Sequence, residues 1–192
     1  MKQIMNRLIS MLSIKMEDVE PIPLYKMKNK KYLSDEDWES IDKMIKYTEK
    51  VPLYIEDKSV CTIAQYYALV NKYQRVHNVD AFFVDYYQLF RLPNGNKPEK
   101  EHEFAALSEG LRTLARKTKT AQVALAQVSR KPEDRPIDKR APRTSDMRNS
   151  GKADQDAEIV LGVFREEFYT QEESERPNEI DVYIRKNRDG QV

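Results

Sequence analysis

The chain has 192 residues, 40% apolar and 34% charged, with a formal net charge of +1, which suits one soluble domain with a real core. A single cysteine, Cys61, excludes an internal disulfide and any zinc cluster built on cysteines, and predicts a reduced, cytoplasmic setting. His77 and His102 lack ligand-like spacing, and the longest apolar run, residues 159–164, is far short of the roughly 20 residues that span a bilayer.

In chain order, MKQIMNRLISMLS carries Ile4, Leu8, Met11 and Leu12 at helical spacing, and Asn6 and Arg7 interrupt any signal-peptide core. Ser34, followed by Asp35, Glu36 and Asp37, starts a second helix whose apolar face is Trp38, Ile41, Met44 and Ile45. VPLYIED (51–57) reads as a short strand. Ile63, Tyr66, Tyr67, Val70 and Tyr73 then predict a helix from Thr62 to about His77. AFFV (81–84) is a buried parallel strand that delivers Asp85 to the edge of a sheet, and RLPNGNKP (91–98) is turn chemistry. Phe104, Leu107, Leu111 and Leu114 define a further helix, TAQVALAQ (120–127) a second buried strand, and AEIVLGVF (157–164) and EIDVYIRK (179–186) two more strands. The alternation of strands and helices predicts an α/β fold: one mostly parallel sheet with crossover helices, finished by strands that pair antiparallel.

Between TAQVALAQ and AEIVLGVF lies a basic stretch. Arg130 to Lys152 holds eight lysines or arginines against four acids, with three prolines and no periodicity. It reads as a long loop, and loops of this length are commonly functional or solvent-facing.

An apolar strand that ends in an acid is a weak signal alone, because such an acid serves as often to cap the next turn as to assist a metal. In a parallel sheet, adjacent strand ends converge on one crevice, which would set Gln127 beside Asp85. Four ordered stretches sharpen this: VDYYQLF (84–90), ALAQVSR (124–130), SDMRNSGKADQDAEIVLGVFREEFY (145–169) and RKNRDG (185–190). Together they resemble the RecA-like motor domain of DnaB-type hexameric replicative helicases. That family shows a D-Y-L-Q-L Walker B segment, an A-L-S-Q-L-x-R strand, S-D-L-R-E-S-G-x-x-x-Q-D-A-D and a closing K-x-R-N-G. EDRPIDKRAP (133–142) is similar to the family's E-x-R-x-x-D-K-R-P run. The resemblance covers essentially the whole chain, residues 1–192, as a single partial domain.

The resemblance implies a RecA-like, mostly parallel twisted sheet flanked by helices, and a motor that uses ATP and Mg2+ to move on single-stranded DNA with 5′-to-3′ polarity. Asp85 is then the Walker B acid, reaching magnesium through water, and Gln127 senses the γ-phosphate. Lys186 and Arg188 match the two basic fingers that enter a neighbouring subunit's ATP site, a contribution of order a thousandfold for such a finger. Arg148, Asn149 and Gly151 match positions that hold DNA phosphates. Self-association into a hexameric ring, a primase and a helicase loader are the implied partners, in a bacterial nucleoid or a phage replication system. Three departures stand out: Asn149 replaces a glutamate, the segment from Arg140 to Ser145 is one residue longer than the pattern, and Asp189 follows the finger arginine where asparagine is usual.

A phosphate loop needs G-x-x-x-x-G-K-S/T, and none of the five glycines (95, 110, 151, 162 and 190) precedes Lys followed by Ser or Thr. The chain is therefore expected to be a fragment, incomplete at both ends and inactive alone. The competing expectation is a non-catalytic module that binds single strands or joins rings. A RadA-like or KaiC-like ATPase is disfavoured by D-Y-Y-Q-L and S-D-M-R-N-S-G.

Overall fold

The computed structural model describes residues 2–57, 61–147, 153–171 and 174–190. The chain divides into two compact units, residues 1–58 and 59–192. In the first, α1 (Lys2–Lys15), α2 (Leu24–Lys28) and α3 (Asp35–Thr48) enclose a core of Ile9, Val19, Ile22, Met27, Ile41 and Met44. Two serines on α1 serve the connecting chain: Ser10 Oγ donates to the Ile22 carbonyl, and Ser13 Oγ accepts from the Ile22 amide, each at 2.8 Å. Buried Asp37 closes a capping box with Ser34 and takes Lys26 at 2.9 Å, so the ammonium holds its carboxyl below the usual carboxylate range. Of the face expected on α3, Ile41 and Met44 are buried, whereas Trp38 and Ile45 are exposed.

Residues 51–57 do not form the expected strand. Pro52 removes a backbone donor, and the Leu53 amide bends back to the Val51 carbonyl at 2.7 Å, so the chain turns where a ladder would need it straight.

The second unit opens with α4 (Ile63–His77), where Thr62 and Gln65 form a reciprocal capping box. Strand β1 (Ala81–Val84) follows, then α5 (Glu101–Thr118) and β2 (Ala121–Ala124). The strands pair in parallel, Ala81 opposite Ala121 through Val84 opposite Ala124. A parallel pair requires a crossover, and α5 supplies it. Its apolar stripe, Phe104, Leu107, Leu111 and Leu114, packs with Tyr66, Val70, Phe82, Tyr87 and Phe90. Each such side chain contributes about 1.5–3 kcal/mol on burial. The tyrosines keep their polar ends paired: Tyr66 with Gln122 Oε1 at 2.7 Å, Tyr87 with the Phe104 carbonyl at 2.8 Å. Burial pushes both hydroxyls well above the ordinary tyrosine range. Helices α4 and α5 meet at Gly110, where a Cβ would lie 2.9 Å from Ile63 Cγ1.

Two expectations about the strands need correction. β1 and β2 are not buried on both faces: Phe82 points into the helical core, but Phe83 is 73% exposed and Val123 42%. The helices cover one face of the pair, and an apolar run does not reveal how many of its faces are covered. Nor is there one sheet. Among the described residues, β3 (Ile159–Phe164) and β4 (Asp181–Asn187) form a separate antiparallel pair, with a register shift between Val160 and Leu161. The short helices α6 (Ala153–Asp156) and α7 (Glu167–Thr170) flank β3 and were not expected.

Over residues 130–147 the basic stretch is also more ordered than a solvated loop. It contains three single-turn 3-10 helices, at Lys131–Asp134, Ile137–Lys139 and Thr144–Asp146. Asp146, only 1% exposed, receives the Arg135 guanidinium fork at 2.8 and 2.5 Å and the Arg143 amide at 2.9 Å. That geometry holds the Asp146 carboxyl below the usual range, the Arg135 hydrogen bonds being the main cause.

Candidate functional site

The parallel ladder does more than hold two strands together. Beyond Val84 the Leu125 amide donates to the Val84 carbonyl at 3.0 Å, and the Tyr87 amide donates to the Leu125 carbonyl at 2.9 Å. These two bonds carry the segments after β1 and β2 forward side by side. The result is a shallow cleft of about 350 Å3 lined by Asp85, Tyr86, Leu125, Ala126 and Gln127. Asp85 and Gln127 therefore share one edge of the parallel pair, as adjacent strand ends should. Gln127 lies three residues past the last residue of β2 rather than within it.

A third residue fixes this edge, one that the reading of the sequence passed over. Gln88, in the 3-10 turn Tyr87–Leu89, donates its Nε2 to the Gln127 carbonyl and accepts from the Gln127 amide with Oε1, each at 3.2 Å. The amide group thus acts as a short piece of a neighbouring strand. The one signal that could have found it is the spacing of Asp85 and Gln88 in D-Y-Y-Q. Only one carboxylate lines the cleft, and no group of three or more metal-binding side chains exists among the described residues. These residues do not complete a magnesium or nucleotide site: Asp85 is the one carboxylate on the cleft among the described residues, and no phosphate loop occurs in the sequence.

Lys186 and Arg188 stand at the end of β4 and are engaged within the chain. Lys186 Nζ donates to the carbonyls of Asp154 at 2.6 Å and Gln155 at 2.9 Å. Arg188 pairs with Glu158 at 2.7 Å and donates to the Gln155 carbonyl at 2.8 Å. Both cations thus sit at the carbonyl end of α6, where positive charge is favoured. That end is in turn anchored on α5, since Ser108 Oγ donates to Asp156 at 2.5 Å and Arg112 lies 3.7 Å from the same carboxylate. The residues expected to contact DNA, Arg148, Asn149 and Gly151, lie outside the described residues. Their flank is placed: Met147 bridges to Val128, and the Ser129 amide donates to the Asp146 carbonyl at 2.8 Å. The basic stretch is therefore tied directly to the segment that carries Gln127.

No helix among the described residues is long and apolar enough to cross a membrane.

Comparison with known proteins converges on one family. The family model for the DnaB-like helicase C terminal domain matches residues 1–192. The chain is 32% identical over 160 residues to the replicative DNA helicase DnaB of Geobacillus stearothermophilus, covering 83% of this chain and 35% of that protein. It is 31% identical, with the same coverage, to the replicative DNA helicase DnaC of Bacillus subtilis (strain 168). It thus spans about a third of the length of these relatives. Among solved structures, one of an ATPase domain superimposes with a TM-score of 0.86 at 28% identity, over 100% of this chain and 64% of that one. A DnaB-like replicative helicase, described with its interactions with primase, gives 0.85 at 28% identity, over 98% and 43%. The expected RecA-like α/β fold is borne out by these neighbours.

Proposed function

The chain belongs to the DnaB-like helicase C-terminal domain family, and from that premise we propose that it is part of an ATP-dependent replicative DNA helicase. In this reading residues 1–192 are one partial motor domain of a hexameric ring that uses ATP and Mg2+ to travel along single-stranded DNA in the cytoplasm. A primase and a helicase loader are its further partners. The observation that carries the reading is the placing of Asp85 and Gln127 on one cleft at one end of a parallel strand pair.

In the completed site Asp85 would hold magnesium through water, and Gln127 would present its amide to a terminal phosphate. Magnesium, when bound, neutralises charge developing on the phosphates. Gln88 sets the distance between the two by gripping the Gln127 backbone. Lys186 and Arg188 act on a neighbouring subunit's nucleotide, after leaving the α6 carbonyls that hold them within the chain. Arg148, Asn149 and Gly151 contact DNA phosphates, so binding follows charge and is indifferent to sequence.

One sequence fact favours a second reading. With no phosphate loop in its 192 residues, the chain alone would act as a non-catalytic module that binds single strands or joins a ring. Both readings predict no ATP hydrolysis by the purified chain, and robust turnover would contradict them. Arg148→Ala decides the DNA contact. It should weaken binding to every oligonucleotide alike and lower the salt slope by about 1; an unaltered slope removes Arg148 from the interface.

A further inference from the structure

The basic stretch is pinned at two places, and the pins lie on different elements. At its start and end, Arg135 and Asp146 close a fork, and Asp146 is bound through its carbonyl to Ser129 beside Gln127. In the middle it rests on the β3–β4 ribbon. Gly162 is buried against it, and a Cβ there would meet the Pro142 carbonyl oxygen at 2.9 Å. Arg185, one residue before Lys186, donates its Nε to that same oxygen at 2.7 Å. Arg140 stacks on Tyr169 at 5.1 Å while its Nε donates to the Arg135 carbonyl, and Tyr169 stacks on Phe164.

The cations of this region therefore divide by task. Arg135, Arg140 and Arg185 are spent on protein contacts, whereas Lys139 and Arg143 are exposed. Three guanidinium groups committed to holding one irregular segment are unusual for a surface loop whose only need is solubility. Arginine suits the work because its planar fork fixes direction as well as distance.

We propose that residues 135–147 form a clasp, closed on itself by Arg135–Asp146 and fastened to the segment after β2 by the Ser129–Asp146 backbone bond and to the β3–β4 ribbon at Gly162 and Arg185, which positions the basic stretch for its DNA contact. The inference rests on the DNA reading given above. It makes Arg135, Arg185 and Gly162 positioning residues. It also joins three regions that the family reading treats separately: the Gln127 edge, the basic stretch, and the strand that carries Lys186 and Arg188.

Gly162→Ala is the informative variant, because it changes no charge and removes no hydrogen-bonding group. Alanine is also a better strand residue than glycine, so the ribbon itself should not suffer. The added methyl must push the Pro142 carbonyl away. Arg185→Met serves as the second variant, keeping the stem and deleting the donor to Pro142. Two measurements on the full chain separate position from stability: tryptic cleavage after Lys139, Arg140 and Arg143, and anisotropy of fluorescein-labelled oligo(dT) across a salt series. Both variants should speed cleavage by about fivefold or more at an unchanged thermal midpoint, and should weaken oligo(dT) binding several-fold. Cleavage unchanged in both variants would overturn the clasp. Faster cleavage with binding intact, in a background where Arg148→Ala does weaken binding, would overturn its positioning role. Binding that Arg148→Ala also leaves untouched, or no binding at all, would overturn the DNA reading itself and the positioning role with it.

Discussion

Replacing Asp146 by asparagine keeps its size and one acceptor oxygen, removes the negative charge and turns the other oxygen into an NH2 donor. The side chain is 1% exposed and accepts three hydrogen bonds, two from the Arg135 fork and one from the Arg143 amide. A hydrogen bond to a charged group contributes about 1.5–3 kcal/mol, and removing one partner of a buried ion pair costs about 3–5 kcal/mol. With its carbonyl at the Oδ2 position, asparagine still accepts from the Arg143 amide and one Arg135 nitrogen but sets an NH2 against the other, so Asp146→Asn should destabilise the second unit by about 2–3 kcal/mol. Urea unfolding followed by far-UV circular dichroism reads this directly, and with a slope of about 2 kcal/mol per M the midpoint falls by about 1 M. The single tryptophan, Trp38, belongs to the first unit, so its emission follows that unit in the same experiment. The effect must also depend on pH. Because the folded state depresses the Asp146 carboxyl, its contribution is present above the unfolded carboxylate pKa and is lost as pH falls through the lower folded value. The gap between wild type and Asp146→Asn should therefore be constant above about pH 5, begin to narrow near pH 4 and close only below the depressed folded value. A gap of under about 0.5 kcal/mol at neutral pH, or one that persists unchanged into acid, would refute the assignment of stability to this pair.

Two further outcomes are expected. Gln88→Ala should speed hydrogen exchange at the Gln127 amide several-fold, because that amide loses its acceptor, while midpoint stability changes by about 0.5–1 kcal/mol; two-dimensional NMR of labelled chain reads both. Asp37→Asn should lower the urea midpoint reported by Trp38 emission. Lys26 and the Ser34 amide hold the Asp37 carboxyl below its usual range, so this difference too should start to narrow near pH 4 and vanish only below the depressed folded value.

The four long helices were legible because each advertises itself locally. Ser34 with Asp37 and Thr62 with Gln65 close capping boxes that the residue types announce, and the apolar stripe Phe104, Leu107, Leu111 and Leu114 is buried along its length. The meeting of Asp85 and Gln127 was legible too, since a strand, a helix and a second apolar strand leave a parallel pair as the simplest closure. Less was visible in the strands. VPLYIED has strand composition, yet ladder formation depends on a partner, which composition does not supply. Phe82 and Phe83 are adjacent and identical in kind, and only packing makes one buried and the other exposed.

The sequence by itself determined the family, the order of the four long helices and four strands, and the identity of the acid and amide that meet at the cleft, because periodicity, capping and motif spacing are written along the chain. The tertiary structure alone decided which charges are committed and to whom. Arg135 and Asp146 are 11 residues apart, Arg185 and Pro142 are 43, and Lys186 and Asp154 are 32. Such pairings depend on distance through space, and nothing in a local stretch of residues distinguishes an arginine that will hold a loop from one left open to solvent.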